Sequence, residues 1–164
     1  MNHIVVHVGE LKESYFREAF AEYKKRMSSC GGLEEIVLKP AKTAGRDLAP
    51  EEIRLALEKE GEAFHQCLRQ PKIQKSFKIA LCIEGKSMTS EALAELYDRV
   101  AQSGKNTVTY LIGASWGIHR SVKEEADLCL SFSPMTFAHS LFAVMLSEQI
   151  YRAESILRGS GYHK

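Results

Sequence analysis

Gly113-Ala114-Ser115-Trp116-Gly117 is a literal G-x-S-x-G, read between a strand and a helix, which is the frame of a hydrolase nucleophile elbow. Asp127 and His139 follow in the chain order serine, acid, base. They follow within too short a stretch to leave chain for separate strand-end loops, and the hydrolase fold needs a much longer chain than this. The competing reading of the same residues is a glycine loop that lets a ligand approach the backbone closely. Gly85-Lys86-Ser87 looks like the end of a phosphate-binding P-loop, but Ala80 stands where that motif needs its first glycine. Lys86 is therefore read as a turn residue. Ser131 to His139 leaves a buried strand and enters a long helix, with Pro134 forcing a turn. The tail Gly159-Ser160-Gly161-Tyr162-His163-Lys164 sets a phenol and an imidazole among glycines, where a chain end ordinarily carries no function.

The elements that must position these residues follow from periodicity. Strands are expected at His3–Val8, Glu35–Leu38, Phe77–Ile83, Thr107–Ile112 and Leu128–Phe132. Helices are expected at Glu13–Met27, from Pro50 to about Arg69, from a Thr89 or Ser90 cap to about Gln102, His119–Glu125 and His139–Leu157. Ala41–Pro50 reads as a loop, with Gly45, Asp47 and a proline suited to a helix start. Strands alternating with helices predict a single α/β domain over residues 1–164, built on a mostly parallel sheet with helices on both faces. Ligands in such folds sit at the carboxyl ends of strands, which directs attention to Glu84–Ser87, Gly113–Gly117 and Ser131–His139. The last helix is apolar over most of its circumference, so it is expected either to thread the core or to meet a second subunit.

Composition narrows the classes. The chain has 164 residues, 45% hydrophobic and 26% charged, with a net charge of +1. That charge does not announce nucleic-acid binding, so any RNA contact must use a local patch or a partner's surface. Cys30, Cys67, Cys82 and Cys129 form no C-x-x-C pair and have no histidine at ligand spacing. They are expected as free thiols of a reducing compartment, with no metal bound. The N-terminal apolar run is short and lacks a basic flank, and no stretch approaches the roughly 20 apolar residues of a membrane span. A cytoplasmic protein is expected.

Taken together, several segments resemble the ribosomal RNA large subunit methyltransferase H family of the SPOUT class. They are V-x-V-G-x-L-K-E-x-Y ending at Tyr15, A-E-Y-x-K-R at Ala21–Arg26, L-x-I-x-G-K at Leu81–Lys86 and I-G-x-x-x-G at Ile112–Gly117. S-F-S-x-M-T-F at Ser131–Phe137, E-Q-x-Y-R-A at Glu148–Ala153 and R-G-x-x-Y-H-K at Arg158–Lys164 complete the match. The resemblance covers essentially the whole chain, in order. It implies a fold whose C-terminal part is tucked through a loop as a trefoil knot, a topology no general rule proposes. It implies S-adenosylmethionine as cofactor, held by Leu81, Gly113, Phe132, Ser133, Pro134, Met135, Thr136 and Phe137. It also implies a homodimer whose partner completes the site, and methylation of N3 of a pseudouridine in 23S rRNA on the assembled ribosome.

That reaction would draw on His163 as proton acceptor and on Tyr162 to stack on or hydrogen-bond the base. Arg152, with Arg158, would hold phosphate or offset developing negative charge. Three positions depart from the family pattern. Ala138 replaces a proline, Ala114 a glycine, and Ala143 an arginine expected near the pocket. The last departure leaves a second reading open, a catalytically weakened homologue that still binds cofactor or ribosome. A serine hydrolase using Ser115 is the third.

Overall fold

The computed structural model describes residues 1–43 and 48–164; part of the loop read at 41–50, with Gly45 and Asp47, lies outside the described residues. The strands are β1 (Asn2–Val8), β2 (Leu33–Leu38), β3 (Phe77–Ser87), β4 (Thr107–Ile112) and β5 (Leu128–Ser131). The helices are α1 (Ser14–Met27), α2 (Pro50–Leu68), α3 (Pro71–Gln74), α4 (Ser90–Gln102), α5 (Arg120–Glu125) and α6 (His139–Leu157). All pairings are parallel, in the order β2-β1-β4-β3-β5. Parallel strands need covered faces, and successive residues serve opposite ones. Val5, Ile79, Val108, Tyr110 and Leu130 face a core shared with α1, α4 and α6. Ile4, Val6, Ala80 and Leu111 face a second core shared with α2, α3 and α5. The expected architecture of a parallel sheet with helices on both faces is the one observed.

Local chemistry accounts for the boundaries. Pro50 occupies the first turn of α2, where its missing N–H costs nothing, and the Glu52 carboxylate accepts the Ala49 N–H at 2.9 Å. Thr89 is the cap of α4, its hydroxyl accepting the Ala92 N–H at 3.2 Å. The short α3, opened by Pro71 and buried through Ile73, is too brief for periodicity to reveal. β3 runs past the expected Ile83 because it pairs with β5 twice. Leu81 lies opposite Leu130, and after a bulge so does Lys86. Gly85 permits the return, since a Cβ there would lie 2.6 Å from the Leu130 carbonyl carbon. The Gly85-Lys86-Ser87 stretch is therefore strand, with neither the loop nor the helix that a P-loop requires.

The last helix buries one face in the core and leaves Leu141 and Leu157 exposed on another. α6 packs between α1 and α4, burying Ala143, Leu146, Ile150 and Ala153. Glu154 is buried with them and meets His3 Nε2 at 2.9 Å and the N-terminal ammonium at 3.3 Å. His3 lies among Tyr97 and Tyr110, which hydrogen-bond to each other. These contacts tie α6, and the tail beyond it, to the first strand. Among the described residues no helix is long and apolar enough to cross a membrane.

Candidate functional site

Two of the three strand-end segments singled out from the sequence, Gly113–Gly117 and Ser131–His139, meet around one cleft of about 740 Å³; of Glu84–Ser87 only Glu84 lines it, because Gly85 to Ser87 continue as strand against β5. Leu81 to Glu84 enter from the β3 bulge, Gly113 to Gly117 from the turn after β4, and Ser131 to His139 from the loop after β5. Of the expected cofactor residues, Leu81, Gly113, Phe132, Ser133, Met135, Thr136 and Phe137 line it; Pro134 does not. Gly113 is obligatory, because a Cβ there would fall 2.0 Å from the Gly117 carbonyl oxygen. Gly117 N–H donates to the Ala114 carbonyl at 3.0 Å, and its φ of +83° suits glycine. Ala114 itself has no positive φ, so its replacement of a family glycine introduces no strain. In the loop after β5 the Ser133 hydroxyl accepts the Met135 N–H at 3.0 Å, and its carbonyl accepts from the Ser131 hydroxyl at 3.1 Å. Phe142 of α6, unremarked in the sequence, packs edge-on against Phe132 and parallel to Phe137, at 4.8 and 6.2 Å between ring centres. This loop is thus held open over the cleft by its own hydrogen bonds and one aromatic anchor.

The cleft is nearly neutral. Glu84 and Lys123 pair with each other, and that bond holds the Glu84 carboxyl below its usual range. Burial, with the neighbouring Cys129, pushes the Cys82 thiol up to about 12, so it stays protonated and non-nucleophilic. His139 is half-buried at the cleft wall; burial and the nearby His7 hold it below the ordinary imidazole value. It is neutral near pH 7. Ala143 is fully buried in the core between the helices and does not line the cleft. The absent arginine therefore takes no cation from this lining.

The serine-hydrolase reading fails on placement. Ser115 is exposed at the tip of the turn after β4, at the carboxyl end of the sheet. Asp127 precedes β5 at the opposite end, where it accepts the Lys78 N–H at 2.7 Å and pairs with Lys105. His139 shares the cleft, but an acid at the far end of the strands cannot orient it.

Arg152, Tyr162 and His163 come together, but away from the cleft. The Tyr162 hydroxyl donates to Glu148 at 3.1 Å, and Arg152 donates to the same carboxylate through Nε at 3.0 Å. The Arg152 guanidinium lies 4.8 Å from the centre of the Tyr162 ring. His163 Nε2 meets Glu91 at 2.8 Å and its Nδ1 lies 3.5 Å from Arg152. The Glu91 backbone amide, the Thr89 hydroxyl and His163 together hold the Glu91 carboxyl down to about 2. Arg158 instead donates to the Ser29 carbonyl, outside this group. Glu148 also lines a second cavity of about 460 Å³ whose wall includes Phe132. Phe132 lines both cavities, which therefore adjoin. Glu148 was legible in principle as the i−4 partner of Arg152; Glu91 was not, since only the fold brings it to the tail.

Comparison with known proteins agrees with this geometry. A family model described as "Predicted SPOUT methyltransferase" matches residues 1–163. The ribosomal RNA large subunit methyltransferase H of Shouchella clausii is 42% identical over the full length of both chains. That of Bacillus pumilus is 40% identical, again over both full lengths. In structure the chain resembles a tRNA (m1G37) methyltransferase from Aquifex aeolicus, at a TM-score of 0.50 and 14% identity over 100% of this chain and 74% of that one. It resembles a probable methyltransferase from Bordetella pertussis Tohama I at a TM-score of 0.54 and 10% identity, over 93% of each chain. The two structural likenesses speak to the fold alone. The matched model and the full-length relatives establish that this chain belongs to the SPOUT methyltransferases, in the ribosomal RNA large subunit methyltransferase H family.

Proposed function

We propose that the chain is an S-adenosylmethionine-dependent methyltransferase that methylates N3 of a pseudouridine in 23S rRNA on the assembled ribosome. The observation that carries the reading is the cleft itself. Its volume falls in the range of about 300–1,000 Å³ usual for cofactor sites, and its lining sets apolar side chains beside the open backbone of Gly113 and Gly117 and the hydroxyls of Ser115, Ser131, Ser133 and Thr136. That is the chemistry an adenosine needs: hydrogen bonds at the base edge, apolar cover on its faces. Leu81, Gly113 and the loop from Phe132 to Phe137 would hold it, Pro134 by shaping that loop.

When bound, the cofactor supplies an electrophilic methyl group; the protein supplies orientation and charge management. The N3–H bond of the base must break as the N–CH₃ bond forms, and the proton must leave. His163 accepts it in this reading, with Glu91 fixing the ring through Nε2. Tyr162 and Arg152, both anchored on Glu148, face the base and its developing charge.

The tail does not reach its own cleft, which supports a homodimer in which the tail of one copy serves the cleft of the other. The C-terminal part is knotted through a loop in this reading, as in the family; the match to the family over residues 1–163 supports this. A cytoplasmic location follows from a ribosomal substrate.

Transfer of labelled methyl from S-adenosylmethionine to ribosomes lacking the modification tests the proposal. Label on N3 of a pseudouridine in 23S rRNA is expected. Cofactor binding without label would favour the weakened homologue. No binding of either kind would remove the reading.

A further inference from the structure

Trp116 is the only tryptophan in the chain, and it is 46% exposed. Nothing in either core requires it. It stands at the tip of the turn after β4, which the Ala114–Gly117 bridge and the tight Gly113 approach hold in one shape. Two more large apolar side chains stand with it around the same cleft: Ile83 from the β3 bulge, 51% exposed, and Met135 from the loop after β5, 70% exposed. Each comes from a different strand end, so the grouping is made by the fold and not by one apolar segment. Such a cluster left in water marks a site that something covers.

The chemistry of the rim restricts what covers it. Glu84 and Lys123, the charged side chains of the cleft lining, neutralise each other. The rim therefore offers no unpaired charge for a phosphate. What it offers is an exposed indole, with a thioether and a branched aliphatic elsewhere on the same lining, a surface suited to a flat, neutral, polarisable ring. If the cofactor occupies the floor of the cleft, the methyl acceptor must enter past this rim.

We infer that Trp116, which shares the cleft lining with Ile83 and Met135, is the platform on which the target base of the RNA stacks as it enters the cleft. The inference rests on the methyltransferase reading above. It makes Trp116 a substrate-positioning residue, separate from the groups that hold the cofactor or accept the proton. A base pulled out of its stack in RNA loses its neighbours' faces, and the indole replaces one of them.

The lone tryptophan makes the test direct, because its emission reports this position and no other. With S-adenosylhomocysteine bound, a uridine-bearing oligoribonucleotide should quench the emission, and one of the same length with an abasic site at that position should not. In methyl transfer, Trp116→Ala should raise KM for ribosomes roughly tenfold or more, the loss expected for one stacked base. Its affinity for S-adenosylhomocysteine should match the parent's, and Trp116→Phe should recover most of the KM. Equal responses to the two oligonucleotides, or an unchanged KM in Trp116→Ala, would overturn the inference. So would emission that shifts with protein concentration and ignores RNA, which would assign the rim to contact between two copies. A parent that neither transfers methyl nor binds S-adenosylhomocysteine would sink the earlier reading instead, and the same paired oligonucleotides, added without S-adenosylhomocysteine, would still decide the stacking.

Discussion

The cleft is walled by apolar side chains, open backbone, a few hydroxyls and the His139 imidazole, and its ion pair, Glu84–Lys123, closes on itself. The tail is charge throughout: Glu91, Glu148, Arg152 and His163 bond to one another around the Tyr162 ring. One region can enclose a ligand; the other can hold and move a proton. Methyl transfer to a ring nitrogen needs both properties in one place, and within a single copy none of Arg152, Tyr162 and His163 lines the cleft. The division teaches that binding and proton handling are separable here, so substitutions should affect one and spare the other.

The largest expected effect is in the tail. His163→Ala should slow methyl transfer by about 10²–10⁴-fold, the usual worth of a positioned general base, while cofactor affinity measured by calorimetry stays at the parent's value. Loss of cofactor affinity in that variant would break the comparison. Gly113→Ala should give the reverse pattern. Its Cβ would meet the Gly117 carbonyl oxygen at 2.0 Å, so the turn must open. Overpacking of about 1–3 kcal/mol predicts cofactor binding weakened roughly tenfold to a hundredfold. Glu148→Gln should be milder, because the amide keeps one acceptor for Arg152 and Tyr162. Loss of about 1 kcal/mol of hydrogen bonding corresponds to a transfer rate down roughly fivefold, read in single turnover with cofactor saturating.

The limits of the sequence track this same division. The cleft was legible because parallel sheets gather ligands at strand ends, and glycine with proline marks where those ends turn. Gly113 and the stretch from Ser131 to His139 could be placed by that rule alone. The tail was legible only through resemblance, since its partners Glu148 and Glu91 stand 14 and 72 positions from Tyr162 and His163. The β3 bulge escaped notice because two pairings of one strand with β5 leave no periodic mark, and only Gly85 hints at them. The arginine missing at position 143 seemed a defect of the site because spacing cannot say which way a helix faces; the packing turns Ala143 into the core.

Acid should act on the anchor of the tail as well as on His139 at the cleft wall. Burial holds the His3 imidazole below its ordinary value of 6.5, the Glu154 bond opposing only in part. Glu154, although burial works to raise it, is kept below its ordinary 4.5 by His3 and the N-terminal ammonium. The unfolded chain therefore takes up protons first at both positions, so folding stability is fully present above about pH 6.5. It is lost as pH falls through the two folded values. The thermal midpoint should be flat between pH 7 and 8 and should fall steadily from pH 6.5 toward 4.5, as scanning calorimetry would record. A midpoint that rises on acidification would mean that His3 is charged in the folded protein.

The smallest effect should come from Ser115→Ala. The hydroxyl is exposed at the tip of a turn whose shape is fixed by Gly113, Gly117 and the Ala114 carbonyl. Removing it takes away no hydrogen bond seen in the structure, and surface changes of this kind stay within about 0.5 kcal/mol. Cofactor affinity and transfer rate should each remain within roughly twofold of the parent. A nucleophilic role would instead make this the most damaging substitution in the molecule. Asp127 lies at the other end of the sheet, bonded to Lys78 and Lys105, and cannot support such a role. A large loss of cofactor affinity would carry a different lesson: the turn would then be contributing a side chain, not only its backbone, to the cleft, and the cleft would be less purely a backbone site than its geometry implies.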